Sequence, residues 1–184
     1  MSNADQSKHR GGDHGAFSAA DFRAACSLFP SGVTVVTRQL ADGCPYGMTV
    51  SSFTSVSLDP PLILVCVDRR AGFLKGLTAG APFAVNVLGE HQHELAARFS
   101  SRQGDRFAGV DWTRGANGIP LLTDVVVSFV CALDRIVDGG DHLILIAAVK
   151  DICRREAQSL VWFQKGYHRL GTSGLGARTE RAPG

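Results

Sequence analysis

Apolar residues recur along the chain mostly in short alternating or continuous runs, and this periodicity predicts a β-rich fold. Val33–Arg38, Tyr46–Ser52, Leu62–Asp68 and Phe83–Leu88 are each short and rich in β-branched or aromatic residues, the pattern of buried or half-buried strands. Two longer strands are expected over Val125–Val137 and His142–Cys153. They are joined by Asp138-Gly139-Gly140-Asp141, a hairpin turn in which glycine accepts positive φ without steric cost. A last strand is expected over Leu160–Leu170. Helical spacing is rarer. Ser18, with Asp21 three residues on, signals the cap of a short helix that places Phe22, Ala25, Cys26 and Phe29 on one face and stops at Pro30. Further helical pieces are expected over Gly72–Ala79 and Glu90–Phe99, the second placing Leu95 and Phe99 four residues apart.

Six or so strands with hairpin-length connections and few helices predict a mainly β protein built as an antiparallel barrel. One domain spans residues 17–170. Residues 1–16 and 171–184 are rich in Gly, Ser, Asp and Arg, and read as a disordered N-terminal tail and a flexible C-terminal tail. A parallel dinucleotide-binding sheet would need regular β–helix–β alternation and a GxGxxG after its first strand. Here Gly171, Gly174 and Gly176 lie in the tail with the wrong spacing.

Composition narrows the partners. At 184 residues, 45% hydrophobic and 20% charged, the chain has the balance of a globular protein. Nineteen Lys and Arg against 17 Asp and Glu give a net charge of only +2, which makes no electrostatic case for nucleic acid. The absence of a long apolar run, and the polar stretch Met1–Gly15, predict no membrane span and a cytoplasmic protein. The five cysteines are scattered without a CxxC, so neither a disulfide framework nor a zinc site is expected, and most should be buried, inert thiols. No other metal site is expected either, since His91 and His93 point to different helix faces.

Three stretches carry candidate chemistry. In Gly47–Ser57, six of eleven residues bear hydroxyls. Such a run suits a solvated strand face as well as a neutral cradle for a phosphate or polar heterocycle. Strand alternation puts Thr49 and Ser51 on one face, Val50 and Ser52 on the other. Arg102-Gln103-Gly104-Asp105-Arg106-Phe107 is a basic loop that would complete a phosphate site if it lay beside those hydroxyls. Gly140-Asp141-His142 places a histidine at the mouth of an apolar strand, as a structural residue or as a donor to a ligand.

Taken in order, Phe29–Thr37, Gly47–Phe53, Ser55–Ser57 with Pro60-Pro61-Leu62, Phe83–Leu88, Asp105-Arg106-Phe107, Gly140-Asp141-His142 and Gly166-Tyr167 resemble the short flavin reductases, which supply reduced flavin to two-component monooxygenases. The resemblance covers nearly all of residues 17–170. It implies a split β-barrel of the FMN-binding type, Greek-key-like, that forms a homodimer with the flavin near the subunit interface. It further implies FMN or FAD as the flavin, NADH or NADPH as hydride donor, and a flavin-dependent monooxygenase as a partner.

Carried over by position, Thr49, Ser51 and Ser52 face the flavin within the stretch Met48, Thr49, Val50, Ser51, Ser52. Cys66, Val67, Asp68 and Arg69 line the same site, and Asn86 follows at the end of its strand. Phe99, Ser100 and Ser101 with Arg106 hold the phosphate end, and Tyr167 packs near the pocket. His142 matches the histidine beside the nicotinamide and is the catalytic candidate. The chain departs from the pattern at Arg70-Ala71-Gly72-Phe73, where many relatives carry phosphate-binding hydroxyls; Arg69 or Arg70 is the candidate to compensate. Two other readings stay open: a flavin-binding module without turnover, and a barrel oxidase acting on another cofactor such as a pyridoxal phosphate precursor.

Overall fold

The computed structural model describes residues 17–171, so the expected tails, apart from Gly171, lie outside the described residues. The chain runs α1 (Ala19–Cys26), β1 (Ser31–Gly32), β2 (Thr34–Gln39), β3 (Pro45–Val50), β4 (Thr54–Leu58), β5 (Pro61–Asp68), β6 (Pro82–Val87) and α2 (His93–Ser100). It continues through β7 (Trp112–Arg114), β8 (Pro120–Leu122), β9 (Val127–Gly139), β10 (His142–Arg154), β11 (Val161–Phe163) and β12 (Gly166–His168).

Seven strands form one antiparallel sheet in the order β3-β2-β6-β9-β10-β5-β4. The β9–β10 hairpin is staggered: β6 pairs with the first half of β9, over 127–132, while β5 pairs with the first half of β10, over 142–148. That stagger curls the sheet until the β3–β4 corner lies over β5. The ladder does not close there, and a side chain bridges the gap. Ser52 Oγ donates to the Cys66 carbonyl (3.1 Å) and accepts from the Cys66 N–H (2.8 Å). The result is a split barrel.

Strand alternation fills the interior. Ile63, Val65 and Val67 of β5 point inward with Val36, Val85, Leu133 and Leu145, around an edge-to-face Phe73–Phe83 pair. A second apolar cluster, including Val35, Leu88, Ala96, Phe99, Phe107 and Leu122, sits outside β2 under α2 and the β7–β8 hairpin. β2 is therefore buried on both faces, which explains the unbroken β-branched run from Val33 through Thr37. Asn86 joins these layers. Its amide donates to the Val35 carbonyl and to Thr37 Oγ1, both at 3.0 Å. Its Oδ1 accepts from the Ser128 hydroxyl (2.9 Å) and the Leu122 N–H (3.3 Å).

Several expected elements differ. The helix expected over Gly72–Ala79 is only a single 3₁₀ turn at Gly72–Leu74, because Gly76 takes φ +67° and breaks the spiral. The last strand is instead the hairpin β11–β12, turning at Gln164 and Lys165, both at positive φ without a glycine there to announce it. β4, hidden in the hydroxyl-rich run, is a full edge strand. Of the cysteines only Cys131 is buried, and burial pushes its thiol up to about 12; Cys26, Cys44 and Cys153 are exposed. The α1 capping box forms as expected, but Phe22 and Phe29 remain 58% and 78% exposed.

Replacing Asn86 with Leu leaves several buried partners unsatisfied, at about 1–3 kcal/mol each. Urea denaturation should show a loss of at least about 3 kcal/mol. A loss below about 1 kcal/mol would contradict the central role given to this amide.

Candidate functional site

A groove runs along the outer side of β3, between α2 and the Arg70–Gly72 turn. Its middle is a cavity of ≈ 430 Å³ bordered by Met48, Thr49, Asp68, Arg70, Phe99 and Arg106. It continues into a smaller space of ≈ 200 Å³ that shares Thr49 and Ser100 and adds Ser51, Trp162 and Tyr167. Ser51 and Trp162 in turn border an open cleft of ≈ 760 Å³ beneath α1.

Two glycines let these walls approach. A Cβ on Gly47 would lie 2.6 Å from the Phe99 ring, and one on Gly72 would lie 3.1 Å from Tyr46. α2 and the 3₁₀ turn can therefore sit directly against β3.

The polar lining is graded. Thr49 Oγ1 donates to the Ala96 carbonyl (2.6 Å) and Ser100 Oγ to the Ala97 carbonyl (2.7 Å). With their protons so used, both hydroxyls present acceptor lone pairs to the groove. Toward the other end come the cations. Arg106 donates through Nε to the Ser101 carbonyl (2.8 Å) and through Nη1 to the Gly47 carbonyl (2.6 Å), with its guanidinium 5.3 Å from the Tyr46 ring centroid. Arg70 is gripped by Asp68 through two side-chain bonds of 3.0 and 2.7 Å. These bonds from Arg70 hold the Asp68 carboxyl well below the usual carboxylate range.

The expected site residues divide by placement. Met48, Thr49, Ser51, Asp68, Phe99, Ser100, Arg106 and Tyr167 are brought together along the groove, and Ser52 borders the cleft beside it. Four others are turned away, which corrects the expectation. Val50 and Val67 point into the barrel core because alternation puts them there. Asn86 is wholly buried with its amide spent on four partners, leaving nothing for a ligand. Arg69 clips the β9–β10 turn, donating to the Gly140 carbonyl (2.8 Å) and Asp138 (2.6 Å). Between the two arginines offered as replacements for missing hydroxyls, Arg70 is the one on the groove. Cys66 contributes its backbone to the Ser52 bridge, and Ser101 contributes its carbonyl to Arg106.

His142 is half-buried and pairs across the sheet with Asp68, a residue of the middle cavity's wall, without itself bordering that cavity. Its Nδ1 lies 2.8 Å from Asp141 Oδ1. The hydrogen bond from His142 lowers the Asp141 pKa; a carboxylate only accepts, so Nδ1 carries the proton and Nε2 is left for a ligand. Tyr46 and Trp162 also border these spaces and carry no binding signal in the sequence. Arg102 stands in the basic loop that the sequence does mark.

A split antiparallel barrel whose hydroxyl-lined groove ends in arginines has the chemistry to hold a polar heterocycle that bears phosphate. A family model described as flavin reductase like domain matches residues 26–171, and the chain belongs to that family. A probable flavin reductase of Rhizobium meliloti (strain 1021) is 40% identical over 166 residues, 89% of this chain and 53% of its own length. The chain thus spans about half of that relative. The reductase subunit HsaB of a flavin-dependent monooxygenase from Rhodococcus jostii (strain RHA1) is 37% identical over 147 residues, 79% of this chain and 75% of its own. Among solved structures, the NADH:FAD oxidoreductase SgcE6 of Streptomyces globisporus C-1027, in complex with NAD and FAD fragments, superposes with a TM-score of 0.79 at 38% identity. It covers 83% of this chain and 93% of its own.

Because Asp68 has a depressed pKa in the folded state, its contribution to stability is present above the unfolded value of about 3.9 and is lost only as pH falls through the lower folded value. A carbon-detected NMR titration of this carboxyl should therefore inflect below about pH 3.9. An inflection at or above that value would mean that the Asp68–Arg70 grip does not form in solution.

Proposed function

We propose that this chain is an NAD(P)H:flavin oxidoreductase that reduces FMN or FAD and supplies the reduced flavin to a partner monooxygenase. The observation that carries the reading is the graded groove: aromatic walls at Trp162 and Tyr167, neutral hydroxyls at Thr49, Ser51 and Ser100, then guanidinium groups at Arg70 and Arg106. That order matches a flavin's ring, its ribityl chain and its phosphate. Family membership and the names of the two relatives and of the solved oxidoreductase support it.

A flavin bound there accepts hydride from reduced nicotinamide, and the protein's task is to bind, orient and shield. Thr49 and Ser100, as acceptors, suit the donor N–H and hydroxyl groups of ring and ribityl chain. Arg106, fixed by two carbonyls and the Tyr46 face, presents its remaining guanidinium nitrogen to phosphate without having to be ordered on binding. His142, oriented by Asp141, serves the nicotinamide side through Nε2, as an orienting donor or acceptor and as a route for a proton.

The chain works as a homodimer in this reading. α1 buries none of its own residues, and Phe22, Leu28, Phe29 and Leu58 are exposed. Covering such a patch is the ordinary reason for association. It would also roof the cleft that Ser51 and Ser52 border.

The test is to mix the protein with each flavin and with NADH or NADPH and follow the visible absorbance. Flavin should bleach under anaerobic conditions, while an absence of bleaching with every pair would leave a binding module without turnover. His142→Ala should slow turnover, or raise the Michaelis constant for nicotinamide, by about tenfold or more with flavin affinity nearly intact. Unchanged kinetics would remove His142 from the site.

A further inference from the structure

One charged side chain behind the groove takes no part in the chemistry described above. Arg38 of β2 is 7% exposed and borders neither the middle cavity nor the smaller space. Its Nη1 donates to the Phe73 carbonyl (2.9 Å) and to the Lys75 carbonyl (3.4 Å), and its Nε is buried without a partner. No carboxylate is paired with it among the described residues. Burial accordingly lowers its pKa from the ordinary arginine value. A buried cation without an acid is costly to keep, so its place in the fold turns on what it holds.

It holds the wall of the middle cavity. The 3₁₀ turn uses the Ala71, Gly72 and Leu74 carbonyls for its own amides, which leaves those of Phe73 and Lys75 to Arg38. Arg70, Ala71 and Gly72, at the head of the same turn, border the cavity. A second line of contact reaches the other groove cation. Arg38 faces Tyr46 across the β2–β3 ladder. The Phe73 ring lies against both, 5.9 Å from the Arg38 guanidinium and 6.3 Å from the Tyr46 ring. Tyr46 in turn carries the Arg106 guanidinium. Arg38, Phe73, Tyr46 and Arg106 thus form one stack from the interior to the groove.

We propose that Arg38 is a positioning residue for the phosphate-binding end of the groove. It touches no ligand and sets the places of Arg70, through the turn, and of Arg106, through the stack. This rests on the flavin reading above. The consequence is selective, because the 3₁₀ turn contributes no residue to the smaller space with its aromatic and hydroxyl lining. Loss of Arg38 is therefore felt by FMN and not by riboflavin, which lacks the phosphate.

Equilibrium binding of oxidised FMN and riboflavin tests it without turnover. Arg38→Met keeps an apolar stem and removes the donors and the charge. It should weaken FMN about tenfold and riboflavin by less than about twofold. Arg38→Lys, which keeps a charge and donors but not the planar fork, should weaken FMN about threefold and leave riboflavin unchanged. Should Arg38→Met fail to fold, Arg38→Lys carries the test through the same FMN-to-riboflavin ratio. In an Arg70→Ala, Arg106→Ala background, either substitution should change FMN affinity by less than about twofold, since nothing is left to position. Equal weakening of FMN and riboflavin, or a full loss of FMN affinity persisting in that background, would make Arg38 a packing residue and overturn the inference. A wild-type protein that binds FMN no more tightly than riboflavin, or binds neither, would instead sink the reading on which the inference rests.

Discussion

Where a curled sheet fails to close, something must hold its two lips together, and here that is the hydroxyl of Ser52 standing in for a missing rung. It takes the N–H of Cys66 and returns a proton to the carbonyl of the same residue, so both backbone valences of one β5 position are met by a side chain from the β3–β4 corner. Strand pairing satisfies such groups elsewhere in the sheet; a buried pair left without partners would cost the fold about 1–3 kcal/mol for each group. The bridge also sets direction. With Ser52 turned toward β5, Thr49 and Ser51 are committed to the opposite side, which is the groove.

Electrostatics are then arranged around backbone rather than around carboxylates. Arg106 and the buried Arg38 both spend their donors on carbonyl oxygens: Arg38 Nη1 reaches the Phe73 carbonyl at 2.9 Å, from a side chain only 7% exposed. Neither is neutralised by an acid in the described residues. Arg38 thereby tethers the turn that carries Arg70-Ala71-Gly72 to β2, and its Nε, buried without a partner, shows that this tether is not free of cost. Arg70 is the exception, held by Asp68. The positive end of the groove is thus fixed in place by dipoles that leave most of its charge uncancelled.

The fold was largely legible in the sequence because β signals are local: alternation in β5, the β-branched run of β2 and the Gly-Gly turn of the long hairpin each carry their own evidence. The misses have different physical causes. Gln164-Lys165 turns at positive φ without glycine, so residue type gives no signal there, whereas the helix expected after Gly72 fails at Gly76, a glycine that does take the positive φ its type allows. The site was legible as a set of stretches but not as a set of side chains. Val50 and Val67 belong to groove-forming strands, yet alternation sends them inward. Asn86 shows a harder limit, since a polar residue at a strand end looks like a ligand contact until its four partners, from β2, β8 and β9, are seen. Conversely Tyr46 acquires its place only through segments distant in the chain, at Phe73 and Arg106.

Gly47 has one last implication. Its missing side chain is what lets the Phe99 ring rest on β3, so the spacing between helix and strand is fixed by the thickness of an aromatic ring lying on bare peptide. Ser100 and the Arg106 strap hang from the end of that same helix. The gauge of the channel is therefore a steric stop rather than a balance of attractions, and it should stay the same whether or not a guest is present.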